Sequence, residues 1–135
     1  MKAGDRILLS LLEHHSNIVP RQMIAERVGA AIDVIPLTPD HRIDLDAMER
    51  MITPAHKLVA LGHVSNVLGS VLDAKRATEI AHAVGAKSLR DGCQSGTRIA
   101  VDGKGRGGDV YVLAGHKVCG RAGGGAARPL GHAPD

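Results

Sequence analysis

Side chains that could perform chemistry are grouped at four places in this sequence of 135 residues. The groups combine an amine, a carboxylate, two amides and several imidazoles: His14 and His15, His63 and Asn66, Asp91 and Gln94, and His116 and Lys117. Any one of these residues alone is more commonly an ordinary loop residue. Together, an amine and a carboxylate with nearby imidazoles can hold a carbonyl group and move protons near neutral pH.

Pyridoxal phosphate (PLP) matches this set of groups particularly well. The cofactor requires an amine for its aldehyde, a carboxylate that keeps its pyridine nitrogen protonated, and a polar partner for its phenolic oxygen. Lys117, Asp91 and Gln94 would fill these roles. A flat imidazole such as that of His14 would stack on the ring and transfer protons.

The segments between these groups alternate short apolar runs with amphipathic stretches. Strands are predicted over residues 6–10, 31–37, 57–61, 86–90 and 109–114, and helices over 17–28, 45–52 and 72–84. This alternation predicts an α/β fold, a mainly parallel sheet with helices on both faces. Ligands bind beyond the carboxyl ends of such strands, and the four chemical groups follow the first, third, fourth and fifth strands.

The helix boundaries are predicted from capping residues. Asn17 is expected to cap the first helix and Gly29 to end it, and Asp44 is expected to cap the second. The inward face of the first helix is predicted from helical spacing to contain Ile18, Met23, Ile24 and Val28. Three methionines are expected in the core: Met23, Met48 and Met51.

The composition excludes several classes of protein. Tyr111 is the only aromatic residue of the Phe, Trp and Tyr group, which argues against a base-stacking nucleic-acid surface. Two cysteines cannot make a disulfide scaffold. The net charge of +3 comes entirely from residues after Asp102, where glycine is also enriched. We expect no nucleic-acid partner.

The amino terminus gives no sign of export or membrane insertion. The apolar run after Asp5 and Arg6 is short, and it ends at Glu13 without a small-residue cleavage site. No stretch approaches the roughly 20 apolar residues that cross a bilayer. We therefore expect a cytoplasmic protein with reduced thiols and no membrane contact.

Four motifs carry a resemblance to a known family. They read EHHSNIVP at 13–20, HVSNVLG at 63–69, DGCQ at 91–94 and AGHK at 114–117. In this order and spacing they resemble the class V aminotransferase family, and are most similar to its cysteine desulfurases and selenocysteine lyases. The similarity runs from about Gly4 to about Gly125 and implies a fold-type I PLP enzyme. We expect residues 1–125 to be an internal part of the PLP-binding large domain and 126–135 an irregular tail.

The resemblance implies an activity and a set of site residues. The activity is conversion of L-cysteine, or L-selenocysteine, to L-alanine, with sulfur passed through an enzyme persulfide to an acceptor protein for iron–sulfur cluster assembly. The implied state is a homodimer. Six residues are implied at the cofactor: Lys117 as the Schiff-base lysine, His116 near the phosphate, Asp91 at the pyridine nitrogen, Gln94 at the phenolic oxygen, His14 stacked on the ring, and Asn66 as an amide near cofactor and substrate. Lys117 and His14 are the catalytic pair among them.

The sequence also departs from the family pattern. Ala114 stands where a phosphate-binding serine is usual, Arg21 where a tryptophan is usual, and Arg90 where the strand is usually apolar. A charge at position 90 requires a partner or an exposed sheet edge. The family's nucleophilic cysteine and substrate-binding arginine have no counterpart here. Cys93 and Cys119 are expected to be unreactive, with Cys93 a small buried side chain.

Alternative interpretations remain beside the enzyme. A metal site built from His14, His15, His63 and Asp91 is conceivable, but no ligand pair has the tight spacing of a zinc motif, so we predict no metal. The glycine runs at 103–108 and 120–125 lack the ending of a phosphate loop. The main rival hypothesis is a truncated, catalytically silent α/β fragment or interaction module.

Overall fold

The computed structural model describes residues 1–95, 108–114 and 125–129. Within these ranges the helices are α1 (His15–Val28), α2 (Leu45–Met51) and α3 (Ala74–Ala83). The strands are β1 (Arg6–Ser10), β2 (Ala31–Ile35), β3 (His56–Gly62), β4 (Lys87–Asp91), β5 (Val110–Ala114) and β6 (Gly125–Pro129). All five predicted strands are present, each with boundaries within two residues of those expected.

The six strands form one sheet in the order β2-β1-β3-β4-β5-β6. β1 to β5 pair in parallel, and β6 pairs antiparallel with β5. The predicted mainly parallel sheet is confirmed. Because parallel strands point the same way, β1 to β5 all end along one border of the sheet, which we call the carboxyl edge, and begin along the opposite border, the amino edge.

Helices cover both faces of this sheet, as predicted. Successive side chains of β1 point to opposite faces. Leu8 packs in a large apolar cluster with Met48 of α2 and Ile80 of α3, whereas Ile7 packs in a smaller cluster with Ala25 of α1. Met48 is fully buried and Met51 packs against the large cluster, which confirms the core assignment of these two methionines.

The cap of α2 forms as predicted, and α3 begins in the same way. Asp44 accepts a hydrogen bond at Oδ1 from the Ala47 amide at 2.8 Å. Asp73 accepts one from the Arg76 amide at 3.1 Å. Each carboxylate satisfies an amide that has no partner within its helix.

The start of α1 differs from the prediction. His14, not Asn17, is the N-cap, and its Nδ1 accepts a hydrogen bond from the Ser16 amide at 3.2 Å. Asn17 lies inside the first turn and is only 3% exposed. The prediction was wrong because the Asn17 side-chain amide hydrogen-bonds to the Glu13 carboxylate and the Ala60 carbonyl instead of to an amide of its own helix.

The inward face of α1 matches the prediction only in part. Ile18 packs, partly buried, against the smaller cluster, as predicted. Met23 and Ile24 are 65% and 45% exposed, so neither belongs to the core. The helix instead buries Asn17 and Ala25, because the side-chain bonds of Asn17 turn that side of the helix towards the sheet. Gly29 ends the helix as expected, in the left-handed conformation with φ +71° that glycine adopts without strain.

Arg90 lies in the interior of the sheet. β4 pairs with β3 and β5, so the exposed-edge alternative for this charge is wrong. The side chain is 2% exposed, and its guanidinium donates hydrogen bonds to the Ala74 carbonyl, at 3.0 Å, and to the Thr78 hydroxyl. The expected partners are therefore provided by α3.

β6 is the strand that the sequence did not predict. We expected no packed element beyond Gly120 and an irregular segment from residue 126. Gly125–Pro129 instead pairs with β5, from Ala114↔Gly125 to Val110↔Pro129. Its small residues and proline have low intrinsic strand propensity, so the pairing reflects the open side of β5 and not a local pattern.

The described helices are all short. The longest, α1, has 14 residues, whereas a helix that crosses a bilayer needs about 20. Within the described ranges, none has the length and apolar character of a membrane span.

Candidate functional site

The carboxyl edge brings together the described members of the predicted site. Asp91 is the last residue of β4, and Gln94 follows it in the next loop. His14 follows β1, and Asn66 follows β3, the strand between β1 and β4. β5 ends at Ala114, on the same edge. His116, Lys117 and Cys119, and most of the two glycine runs, lie outside the described residues.

The loop after β4 holds the Asp91 carboxylate in a defined orientation. Asp91 Oδ1 accepts a hydrogen bond from the Cys93 amide at 2.9 Å. The Gly92 amide donates to the Val112 carbonyl at 2.8 Å, which ties the loop to β5. Cys93 and Gln94 are half-buried, so the expectation of a buried Cys93 is wrong.

Gly92 is required by the close approach of Tyr111. A Cβ at position 92 would lie 2.0 Å from the tyrosine ring, a distance that real Cβ contacts do not reach. The Tyr111 hydroxyl is hydrogen-bonded to the Ser95 hydroxyl at 2.6 Å, and His63 Nδ1 is hydrogen-bonded to the same serine at 2.9 Å. Burial raises the pKa of Tyr111. These bonds hold Ser95, on the far side of Gln94 from Asp91.

His63 is buried, unlike His14 and His15 at the same edge. It is 1% exposed and joined to Ser95, and its amide donates to the Asp91 carbonyl at 2.9 Å. A side chain this deeply buried supports the loop from below. It is not available to a ligand at the open edge.

His14 is positioned by the first turn of α1. Its Nδ1 lies 2.7 Å from the Ser16 hydroxyl and accepts from the Ser16 amide, so the neutral ring carries its proton at Nε2. The ring stacks on that of His15, with centroids 4.2 Å apart. His14 is half-buried and His15 exposed. The loop thus presents a flat imidazole, held at one nitrogen, at the carboxyl edge.

Asn66 is exposed in the loop after β3, and the loop is shaped by a serine. The Ser65 hydroxyl accepts hydrogen bonds from the amides of Val67 and Leu68 at 3.2 and 3.1 Å. Gly69 then takes a left-handed φ of +68°. The turn holds the backbone at Asn66 while leaving its amide side chain accessible.

Sequence reasoning missed Glu13, a buried carboxylate at the carboxyl edge. The side chain accepts hydrogen bonds from Ser10, Asn17 and Gly62, and burial raises the pKa of Glu13, to which the Asp91 charge also contributes. The available signal was its position, directly beside His14 after β1. It was overlooked because a lone glutamate after a strand is ordinarily solvated.

Arg21 is the second unexpected charge at this edge. It lies on α1, is half-buried, and has an Nε atom that is inaccessible to solvent and without a partner among the described residues. Burial lowers the pKa of Arg21, and the negative charges of Asp91 and Glu13 oppose that change. The arginine that replaces the family's tryptophan therefore sits in the electrostatic field of Asp91.

A separate cavity of about 360 Å³ opens beside these residues. Arg42, Asp44, Asp73 and Arg76 contribute to its lining, so it lies on the side of the sheet that α2 and α3 cover. Among the described residues, its lining includes none of the predicted cofactor residues. Across the described ranges, no group of three or more His, Cys, Asp or Glu side chains is arranged to hold a metal ion.

Comparison with known proteins agrees with this geometry. Residues 1–128 match the sequence profile of the aminotransferase class-V family. The chain belongs to this family. A cysteine desulfurase of Klebsiella pneumoniae is 46% identical over 121 residues, which cover 90% of this chain and 30% of the relative. The chain therefore spans about a third of the length of the curated relatives it matches.

Solved structures give the same result. The cysteine desulfurase CsdA of Escherichia coli superposes with a TM-score of 0.92 at 36% identity, over 96% of this chain and 32% of that one. C-DES, solved with glycine covalently linked to its PLP cofactor, superposes with a TM-score of 0.83 at 26% identity, over 94% of this chain and 34% of that one. The sheet and its helices are thus those of fold-type I PLP enzymes, and membership of the family implies PLP.

The described residues fit that cofactor. Asp91 presents a carboxylate held by the Cys93 amide, His14 presents a half-buried ring, and Asn66 presents an exposed amide, all at one edge of the sheet. A cationic pyridine nitrogen, an aromatic face and polar substituents are the matching features of PLP.

Proposed function

We propose that this chain carries the cofactor-binding part of a PLP-dependent cysteine desulfurase. The observation that carries the proposal is the position of Asp91. It is the last residue of a central parallel strand, so its carboxylate lies at the same edge as His14 and Asn66, with its orientation held by the Cys93 amide. The similarity to cysteine desulfurases over nearly the whole chain supports the proposal independently.

The described residues have distinct roles in this proposal. Asp91 binds the pyridine nitrogen and keeps a proton on it, because a carboxylate at hydrogen-bond distance favours the charged form of the ring. His14 packs its imidazole against the ring and carries a transferable proton at Nε2. Gln94 donates to the phenolic oxygen, and Asn66 orients the substrate near it. PLP, when bound, supplies the electron sink that weakens bonds at the substrate's α-carbon.

Two further roles fall on residues outside the described ranges. Lys117 would supply the amine that holds the cofactor aldehyde, and His116 would lie near the phosphate. Ala114 lacks the hydroxyl of the family's serine, so one phosphate contact is absent. We therefore expect weaker PLP binding than in relatives that keep the serine.

The whole reaction requires groups that these 135 residues do not supply. The family's nucleophilic cysteine takes the sulfur as a persulfide and its arginine binds the substrate carboxylate, and neither can be assigned here. We propose L-cysteine, with L-selenocysteine as the alternative, as the substrate. The proposal extends to a cytoplasmic homodimer that passes sulfur to an acceptor protein for iron–sulfur cluster assembly. The chain alone is expected to bind PLP without releasing sulfur.

Titration of the purified chain with PLP tests the proposal. We expect a visible absorption band that saturates with cofactor, and borohydride reduction should attach the cofactor covalently at Lys117, as read by peptide mass spectrometry. Lys117→Ala should abolish both. Lys75→Ala is the matched control, since this lysine lies on α3 with a side chain that is 71% exposed, and it should leave both unchanged.

The same titration separates the enzyme from its main rival. Absence of the band at saturating PLP would contradict the proposal and support a catalytically silent fragment. Sulfide release from L-cysteine is measured separately. A band without sulfide is the expected result for this chain.

A further inference from the structure

Glu13 connects three elements at the carboxyl edge through one buried carboxylate. Its Oε1 accepts hydrogen bonds from the Ser10 hydroxyl at 2.6 Å, at the end of β1, and from the Gly62 amide at 3.0 Å, at the end of β3. Its Oε2 accepts from the Asn17 side-chain amide at 2.7 Å, in the first turn of α1. The ends of two neighbouring strands and the start of a helix therefore meet at this group.

Asn17 extends the connection. The same amide nitrogen donates to the Ala60 carbonyl of β3 at 3.3 Å, and Asn17 is 3% exposed. Glu13 is 9% exposed. This pair, which we call the Glu13–Asn17 clamp, joins the first turn of α1 to β3 by side-chain hydrogen bonds. The neighbouring Ile18 packs, partly buried, against the cluster that contains Ala60, whereas Met23 and Ile24 of the same helix are exposed.

Burying a carboxylate is an expensive way to attach a helix. Removing the charge from water costs several kcal/mol, which neutral donors offset only in part, and an apolar contact would avoid that cost. The clamp has a second consequence, because His14 is the residue between Glu13 and α1. The bonds that hold Glu13 and Asn17 therefore also hold the backbone at His14, on which the ring position depends.

We propose that Glu13 is a positioning residue for the cofactor site: through Ser10, Gly62 and Asn17 it holds the start of α1 against β3, so that the His14 ring is kept in place at the edge that carries Asp91. The effect of Glu13 on cofactor binding rests on the proposed function. The placement of His14 is itself a property of the chain without PLP.

The clamp can be broken and restored with isosteric changes. Glu13→Gln still accepts from Ser10 and Gly62 but turns an amide donor towards the Asn17 amide, so two donors face each other. Adding Asn17→Asp restores the bond to position 13 with its direction reversed, but it removes the donor to the Ala60 carbonyl, so we expect a partial rescue. Glu79→Gln is the matched control, because this glutamate lies on α3 with a side chain that is 64% exposed.

The first readout uses the chain without cofactor. In NMR spectra of the histidine rings, Glu13→Gln should shift and broaden the His14 signals, and the double variant E13Q/N17D should return them towards the wild-type positions. Circular dichroism confirms that each variant is folded at the temperature used. His14 signals unchanged in folded Glu13→Gln would overturn the proposal, as would a shift that Asn17→Asp does not reverse even in part.

The second readout is PLP binding. We expect Glu13→Gln to weaken PLP binding by roughly tenfold, and E13Q/N17D to recover part of that loss. If the wild-type chain shows no PLP band, the proposed function fails, while the NMR comparison still decides the positioning role. If Glu13→Gln does not fold, Ser10→Ala removes one donor and should produce a smaller shift of the same His14 signals; a folded Ser10→Ala chain with unshifted signals would overturn the proposal.

Discussion

Charged side chains have opposite environments at the two edges of the sheet. At the amino edge, carboxylates are paired with basic side chains, and the pKa values of Asp33 and Asp109 are lowered. At the carboxyl edge, burial raises the pKa of Glu13 and lowers that of Arg21. The environment thus stabilises the charged groups at one edge and disfavours them at the other.

The amino edge has two such centres. Asp33 lies in the middle of β2, and its carboxylate binds the first residues of β1 and β3. It accepts hydrogen bonds from the Arg6 guanidinium and lies 2.9 Å from His56 Nε2, whose ring is buried. In the second centre, Asp109 accepts from the Ser88 amide at 2.8 Å and from Lys87 Nζ at 2.9 Å, and His82 Nε2 lies 2.8 Å away. Both centres join elements that are far apart in sequence and so contribute to stability.

The carboxyl edge places charged groups where they are less stable. Glu13 receives its hydrogen bonds from neutral donors, and the solvent-inaccessible Nε of Arg21 has no partner among the described residues. Charged groups held at an energetic cost are typical of sites that act on a ligand. The comparison therefore assigns stability mainly to the amino edge and ligand chemistry to the carboxyl edge.

The largest effect on stability is expected in the loop that directly follows β4. Gly92→Ala places a Cβ 2.0 Å from the Tyr111 ring, so the loop or the ring must move. We expect a loss of about 3 kcal/mol in the free energy of unfolding, measured with urea, since overpacking of this kind costs about 1–3 kcal/mol or more. Gly62→Ala is the control, because its nearest contact would be an ordinary 3.5 Å. Equal stability of the two variants would contradict the packing argument.

Removal of the Asp33 carboxylate should have the next largest effect on stability. Asp33→Ala leaves the buried His56 ring and the Arg6 guanidinium without their common acceptor. Loss of hydrogen bonds to a charged group suggests a destabilisation of about 2 kcal/mol by urea unfolding. Asp33→Asn keeps one acceptor oxygen and should lose less. If both variants unfold like the wild type, the amino edge does not carry the stability assigned to it.

Acid should weaken the second centre of the amino edge. The pKa of Asp109 is lowered from 3.8 to about 2 by the Ser88 amide and the basic side chains of His82 and Lys87, against the opposing effect of burial. The unfolded chain therefore binds this proton at higher pH than the folded chain. The stabilisation is complete above about pH 4 and is lost as the pH falls towards 2.

We expect this loss to be about 1 kcal/mol after allowance for solvent screening. Thermal unfolding recorded between pH 5 and pH 2 measures it. Asp109→Asn should flatten that part of the pH dependence, and a curve that keeps the wild-type slope would show that other groups cause it.

The smallest change in stability is expected for Arg21 at the carboxyl edge. Arg21→Met removes a half-buried cation and keeps an apolar chain of similar length, so stability should stay within about 1 kcal/mol of the wild type or rise. Thermal unfolding at neutral pH gives the comparison with Asp33→Ala. A loss as large as that of Asp33→Ala would remove the proposed difference between the edges.

Much of the fold could be predicted because its signals are local. The apolar runs of β1 and β3, the cap at Asp44 and the glycine at position 29 each act on neighbouring residues. The order of the four motifs along the chain was equally readable, and because parallel strands end on one side, it placed Asp91, His14 and Asn66 at one edge.

Other features could not be predicted because they depend on contacts between distant residues. Met23 and Ile24 have the spacing of a buried helix face, yet they are exposed because Asn17 is bound to Glu13 and Ala60 and turns the helix the other way. β6 forms against the open side of β5 despite its weak strand propensity.

The sequence by itself determined the alternation of strands and helices, the family, and the edge at which the chemistry lies, because periodicity, capping and motif order are properties of neighbouring residues. The tertiary structure decided which charges are buried and how they are paired. Glu13 links β1, β3 and α1. Arg90 donates to acceptors in α3, and His63 is hydrogen-bonded to Ser95 in the loop after Asp91. The physical reason is that desolvation and hydrogen bonding depend on which distant groups the fold brings into contact.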